Sequence, residues 1–287
     1  MATVGGSQDP MASAERRAAT ARARSAQETR SAERQEALAE QAVSEVRRDT
    51  HLRMAAVHRS TASCHRSAAR LHESYAARLA GWAGATSTPR PLFMTGVAAA
   101  CGTRSAALTL VGATFDQLSL AASDEPSRAA QELEFLLGEG PARDATRQVR
   151  AVTATGSGMT DRWPGYGPAV SELGIEEVTA VPLSMEGTCV GALTVFDAAS
   201  RVTGSQTFAE VAEVLTRTMI LNPAGDPELY GGTDLRALVH QAAGMVSVQL
   251  DCSVSDALEL IKARAFTEGV SAHAVAERIV RGELRLA

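Results

Sequence analysis

From Ala12 to about Ala80 the chain contains neither proline nor glycine, and Ala, Arg, Glu and Gln dominate. All four are good helix formers. The stretch predicts one long helix, or two with a soft break near Asp49-Thr50. A helix this long and this polar has no broad apolar face to bury alone, so the pattern calls for a partner helix in a coiled coil or bundle. Between residues 51 and 79 a heptad is visible. His51, His58, His65 and His72 recur every seven residues, and Leu79 continues their column. Ala55, Ala62, Ala69 and Ala76 form a second column four residues on, bordered by Met54, Thr61, Ala68 and Tyr75. Steps of four then three are the a/d alternation of a coiled-coil seam. Two roles fit the histidines. One is a close-packed alanine seam in which they sit half-buried and hydrogen-bonded; the other is a ladder that binds metal or senses pH. Neighbours in the column are about 10 Å apart on one helix, so a shared metal would need a partner chain, and the packed seam is the favoured reading.

Residues 81–91 (GWAGATSTPRP) are rich in chain breakers and predict a linker. Beyond it the pattern changes. Residues 92–100 predict a helix, 105–112 and 116–121 a pair of strands, and 149–154 a short strand. Residues 126–137 predict a helix with Ala130, Leu133, Phe135, Leu136 and Leu137 on its apolar side and Gly138 as its stop. A Gly/Pro-rich stretch at 163–173 leads into a short helix. Residues 177–185 and 189–197 are apolar strands joined by a Glu186-Gly187 turn, and 208–221 is a closing helix with Phe208, Val211, Val214 and Leu215 on one side. Strands flanked by helices at both ends predict a central antiparallel sheet in an α+β domain. Residues 222–232 form a second linker, and the remainder of the chain is helical by its pattern, at 235–248, 254–266 and 273–280. Ser255 and Ser271 are the expected N-caps, with Gly269 and Gly282 as C-terminal stops. Three helices of this length are marginal by themselves and gain from dimerisation. The expected organisation is α+β and multidomain: a disordered tail (1–11), a helical coiled-coil segment (12–80), a linker (81–91), an α/β domain (92–221), a linker (222–232) and a helical domain (233–287).

Charge is divided between these parts. The whole chain carries −5. Residues 11–80 hold 13 Arg and 8 acidic residues, residues 92–221 hold 8 Arg and 15 acidic residues, and residues 233–287 hold 6 basic and 7 acidic residues. These are different surfaces, and none gives the whole protein a general pull towards nucleic acid or anionic membrane. Lys262 is the single lysine, and it falls in the C-terminal part. No apolar run is long enough to span a bilayer, and the Arg- and Ala-rich N-terminus lacks an apolar signal core, so the expected location is the cytoplasm. Cys64, Cys101, Cys189 and Cys252 are scattered without metal-like pairing. The sequence has no Walker loop, no G-x-S-x-G and no metal-hydrolase spacing. The expectation is a protein without enzymatic activity, cofactor or metal.

Residues 239–282 (VHQAAGMVSVQLDCSVSDALELIKARAFTEGVSAHAVAERIVRG) resemble the ANTAR family of RNA-binding antitermination domains. The carrying pieces are Gln241-Ala242-Ala243-Gly244 in the first helix, Ser253 to Ala257 at the second, then Ile261-Lys262-Ala263-Arg264-Ala265, and Val275-Ala276-Glu277-Arg278-Ile279-Val280 in the third. Where the family usually has a lysine before the first-helix glycine this chain has Ala243, and where it usually has a methionine three residues after that glycine it has Ser247. The resemblance implies a three-helix RNA-binding bundle with Gln241, Ala243, Gly244, Lys262, Arg264 and Phe266 as its RNA-facing positions. Phe266 has two readings, a base-stacking platform or a core residue, and Lys262 and Arg264 are either contacts or a solvated helix face.

The middle region resembles GAF sensor domains. Leu137-Gly138-Glu139-Gly140-Pro141 with Asp144-Ala145, Asp161-Arg162-Trp163-Pro164-Gly165-Tyr166-Gly167-Pro168 through Glu172-Leu173-Gly174, and the strand pieces Val181-Pro182-Leu183 and Gly191-Ala192-Leu193 carry it. A cysteine that commonly follows the Gly-Pro is Ala142 here. The resemblance implies a small-molecule pocket over the sheet, for which Phe135, Trp163 and Tyr166 are the aromatic candidates, with core packing as their alternative role. The region contains no histidine, which removes the proximal ligand for haem. Together the two resemblances imply a signal-responsive, RNA-binding transcription antiterminator that acts as a homodimer on structured leader transcripts under GAF-like control. The alternative is a dimerising or protein-docking regulator whose bundle does not bind RNA.

Overall fold

Asp9 starts the first helix. Its carboxylate accepts from the Met11 N–H at 3.1 Å, and Pro10, whose missing N–H costs nothing at a helix start, takes the first position. Helix α1 (Pro10–Glu40) is therefore already under way where the tail was expected to continue. The computed structural model describes residues 9–82, 90–112, 116–185, 187–198, 206–220 and 234–286; the expected linker at 222–232 lies outside them. Helix α2 (Glu45–Trp82) begins after a reversal at residues 41–44, where Ser44 Oγ accepts from the Arg47 N–H at 3.4 Å. The break thus falls before Asp49-Thr50, which are both helical.

The reversal supplies the partner helix from the same chain. Ser25 Oγ donates to the Ala62 carbonyl at 2.8 Å, Glu28 meets His58, Gln35 meets His51, and Arg22 meets Glu73, so α1 and α2 run antiparallel. Alanines of both helices close the seam: Ala14, Ala18, Ala32 and Ala39 of α1 are buried, as are Ala55, Ala62 and Ala69 of α2. The histidine column faces α1, where His51 bonds Gln35 at 2.8 Å and His58 bonds Glu28 at 2.7 Å. His72 is buried against the Phe93 ring.

The rest of the described chain is α+β. Helix α3 (Phe93–Ala100) precedes strands β1 (Ser105–Val111) and β2 (Gln117–Ala122), then helices α4 (Glu125–Leu137) and α5 (Pro141–Gln148). Strand β3 (Val152–Thr155), helices α6 (Ser157–Arg162) and α7 (Tyr166–Glu172), and the hairpin β4 (Glu177–Met185) and β5 (Thr188–Phe196) come next. Helix α8 (Gln206–Val214) runs into a π-helical turn at Leu215–Ile220. All strand pairings are antiparallel, in the order β3-β4-β5-β1-β2, with a two-residue strand β6 (Asp234–Leu235) on the β2 edge. Alternation sends successive residues to opposite faces. Ala106 and Leu108 join Leu193 and Val195 under α2, α3 and α8, while Ala107 joins Ala180, Ala192 and Phe196 under α4, α5, α6 and α7. The sheet is the middle layer of three. Among the described residues no helix is long and apolar enough to cross a membrane.

Strand β6 delivers the chain to three helices: α9 (Ala237–Leu250), α10 (Val254–Glu268) and α11 (Ala272–Val280). Ser271 caps α11 as expected, and α10 is capped by Ser253, two residues before the expected Ser255: its Oγ accepts from the Asp256 N–H at 3.0 Å. Gly269 closes α10 in the left-handed conformation.

Candidate functional site

The three C-terminal helices bury Val239, Ala242, Ala243 and Val246 of α9 against Ala257, Ile261 and Ala265 of α10 and Val275, Ala276 and Ile279 of α11. Ala243 is therefore part of the core, with no exposed surface, and does not stand on an RNA-facing side. Gln241 is exposed and Gly244 half-exposed on the opposite side of α9. Arg264 is exposed and bonds Glu268 at 2.5 Å, and Arg278 bonds the other oxygen of the same carboxylate. The two guanidiniums hold the Glu268 carboxyl below the usual carboxylate range, Arg278 first. Phe266 is 57% exposed, so it is not a core residue. The six positions implied by resemblance do not form one face.

Lys262 faces elsewhere again. It is buried, its Nζ 2.8 Å from Glu259 Oε1 and 4.8 Å from the centroid of the Phe135 ring on α4. The same ring takes the Arg236 guanidinium at 4.2 Å. Arg236, the residue before α9, is fully buried; its Nη2 donates to Glu132 Oε2 at 2.6 Å and to Gln117 Oε1 at 3.1 Å. The second oxygen of Glu132 accepts from the Ala272 N–H at 2.7 Å. That N–H is one of the unpaired donors at the start of α11, where negative charge is favoured. One carboxylate of α4 thus holds the beginnings of both α9 and α11. Arg236, Glu132 and Gln117 give no signal in the sequence, because they carry no motif and come together only through the fold.

Phe135 therefore belongs to the apolar cluster of the C-terminal helices, not with Trp163 and Tyr166. Those two rings lie edge-to-face with centroids 5.8 Å apart in the core of the α4–α7 layer, both buried. The three aromatics do not line a shared pocket: Phe135 lies on the side of α4 that meets the bundle. The two motifs of the middle region lock onto each other. Glu139 Oε1 accepts from the Gly165 and Tyr166 N–H groups at 2.6 and 2.8 Å, and Asp144 Oδ2 accepts from Arg162 Nε at 2.8 Å and Trp163 Nε1 at 3.3 Å.

A polar cluster lies beneath α4. Thr109 bonds Gln131, Gln131 Nε2 donates to Glu134 at 2.9 Å, and the Arg143 N–H donates to the other Glu134 oxygen. Burial pushes the Glu134 carboxyl up to about 8. A cavity of about 30 Å³ borders this cluster and reaches Phe135 and Lys262; it has room for little more than a water molecule. A larger cleft of about 780 Å³ opens along the α4 seam, between Leu133 and Leu136 on one side and Phe266 and Val270 on the other. Among the described residues no three His, Cys, Asp or Glu side chains are grouped to hold a metal ion. Burial pushes the Cys64 and Cys101 thiols up to about 11 and about 12, which keeps both protonated at neutral pH. Comparison with protein-family models, with curated proteins and with solved structures gives no match to this chain.

Proposed function

We propose that the chain is a signal-responsive RNA-binding regulator of the antitermination type. In this reading the helices from Ala237 to Val280 grip structured nascent RNA, two copies acting together, and the three-layer α+β part governs them as a GAF-like sensor. One observation carries the proposal. Gly244 stands in the middle of α9, where glycine costs roughly 1 kcal/mol relative to alanine. Nothing lies within 4 Å of the place its Cβ would occupy, so packing does not require it. It lies at helical spacing with exposed Gln241, half-exposed Met245 and exposed Val248, opposite the core positions of the same helix. A glycine that the fold does not need, beside a polar reader on an open helix face, is what close approach of a ligand requires. The resemblance to RNA-binding antitermination domains names that ligand as RNA.

The test is affinity of the full chain for a panel of structured RNAs across a salt series, with Gly244→Leu as the probe. The variant is expected to melt no lower than the parent and to bind at least tenfold more weakly, while the parent shows affinity falling with salt as phosphate contacts demand. Equal affinity of the two proteins, or no salt-dependent binding by the parent, overturns the reading. The second reading, a bundle that docks protein or a second copy, draws on Val248, which is 85% exposed on that same face, and on the burial of Ala243 and Lys262. It predicts concentration-dependent self-association or partner capture that Gly244→Leu alters, without RNA retention.

A further inference from the structure

We infer that the seam between α4 and the C-terminal helices is an intramolecular latch that withholds Lys262, so that α4 and RNA compete for one edge of α10. Only the identity of the competitor rests on the RNA reading above.

The seam is held at a few charged points. Glu132 takes Arg236 with one oxygen and the Ala272 N–H with the other, and Phe135 takes the cations of Arg236 and Lys262 against its ring. Apolar packing across the seam is confined to Phe135, which is buried in the cluster of the C-terminal helices, and Leu136, which packs against it. Leu133 and Leu136 of α4 look across the 780 Å³ cleft at Phe266 and Val270. An interface closed by packing resists opening along its whole length, because every lost contact costs dispersion and hydration. This one is packed only around Phe135 and Leu136, so its charged points carry much of its closure. Glu132 is the keystone: its two oxygens hold the starts of α9 and α11 at once, so its removal takes away two of the seam's fixed points together. Losing a charge-assisted hydrogen bond at each helix start weakens the hold of α4 on the bundle, and the bundle swings away from α4. The same movement frees Lys262, the only lysine of the chain.

That uniqueness gives a direct readout, since acylation with an amine-selective ester reports on Lys262 alone among the side chains. Its rate is followed by peptide mass spectrometry in the folded full-length protein and in urea, for the parent, Glu132→Ala and Phe135→Leu. In the parent, Lys262 is expected to react at least tenfold more slowly than in urea. Both variants are expected to raise the folded-state rate fivefold or more while the near-ultraviolet signal of the Trp163–Tyr166 core stays native. Structured RNA is then expected to bind both variants several-fold more tightly than the parent and to slow Lys262 labelling. A parent rate within twofold of the urea value, or unchanged rates in both variants, overturns the latch whatever RNA does. Faster labelling in both variants without RNA binding or protection overturns the RNA reading and leaves the latch standing.

Discussion

Gly140 has φ of 151°, and a Cβ there would lie 2.7 Å from Glu134 Cδ. It precedes Pro141, the first residue of α5, and holds the turn in which the Arg143 N–H reaches Glu134. Two residues earlier, Gly138 ends α4 in the left-handed conformation at φ of 68°, with nothing within 4 Å of a Cβ. The pair separates backbone strain from collision. Gly138→Ala carries only the left-handed penalty, about 1 kcal/mol. Gly140→Ala adds the displacement of a carboxyl group that is buried and already engaged, and should cost about 3 kcal/mol in total. Urea unfolding of both variants should rank Gly140→Ala as the more damaging by at least about 1 kcal/mol; the reverse order would show that the Glu134 turn is not as tight as its geometry states. Leu137-Gly138-Glu139-Gly140-Pro141 is thus a joint. Gly138 stops one helix, Pro141 opens the next, Glu139 caps the start of α7, and Gly140 makes room for Glu134.

At the scale of the element, the α1–α2 hairpin carries its own pH dependence. Burial, and secondarily the charge of Arg17, lower the His72 pKa from 6.5 to about 4. The unfolded chain therefore takes up a proton near pH 6.5 that the folded chain refuses until about pH 4. The neutral imidazole's contribution is complete above the unfolded pKa and drains away as pH falls through this window, reaching about 2 kcal/mol lost at pH 5. Chemical denaturation at pH 7.5 and pH 5 should show this loss in the parent and not in His72→Gln; equal losses in both proteins would place the acid sensitivity elsewhere. The seam itself is legible in the sequence, because alanine and histidine columns at steps of four and three report a buried helix face. The position of the reversal is not: residues 41–44 contain neither glycine nor proline, and Ser44 is an ordinary residue until its hydroxyl is seen against the Arg47 N–H. Nor does a heptad say whether its partner is another chain or the same one. The strands are legible from alternation, and the C-terminal helices from their apolar spacing. Helix α5 is not legible, since Pro141–Gln148 has too few apolar residues to show a period.

The relation between the α+β layers and the C-terminal helices belongs to the whole molecule, and it leaves no local trace. Glu132 lies 104 residues from Arg236 and 140 from Ala272. Each is ordinary in its own segment: a glutamate on a surface helix, an arginine after a linker, an alanine in a first helical turn. Their meeting makes Phe135, by sequence a candidate for a ligand pocket's apolar side, into a member of the C-terminal core. A three-helix unit of this size has little core of its own, and α4 adds to it through Phe135 and Leu136. The bundle and the α+β layers should therefore unfold together while the seam is closed. Calorimetry of the parent should give one cooperative transition across both parts. In Glu132→Ala, where α9 and α11 lose the carboxylate that ties both to α4, a second transition should split off at lower temperature with the smaller enthalpy expected of about fifty residues. Its midpoint should be insensitive to Gly140→Ala, which acts within the α4–α5 joint, whereas in the parent Gly140→Ala should lower the single transition that both parts share. One unchanged transition in Glu132→Ala would mean that the apolar contacts of Phe135 and Leu136 hold the bundle unaided, and that the charges at the seam decorate an interface they do not control.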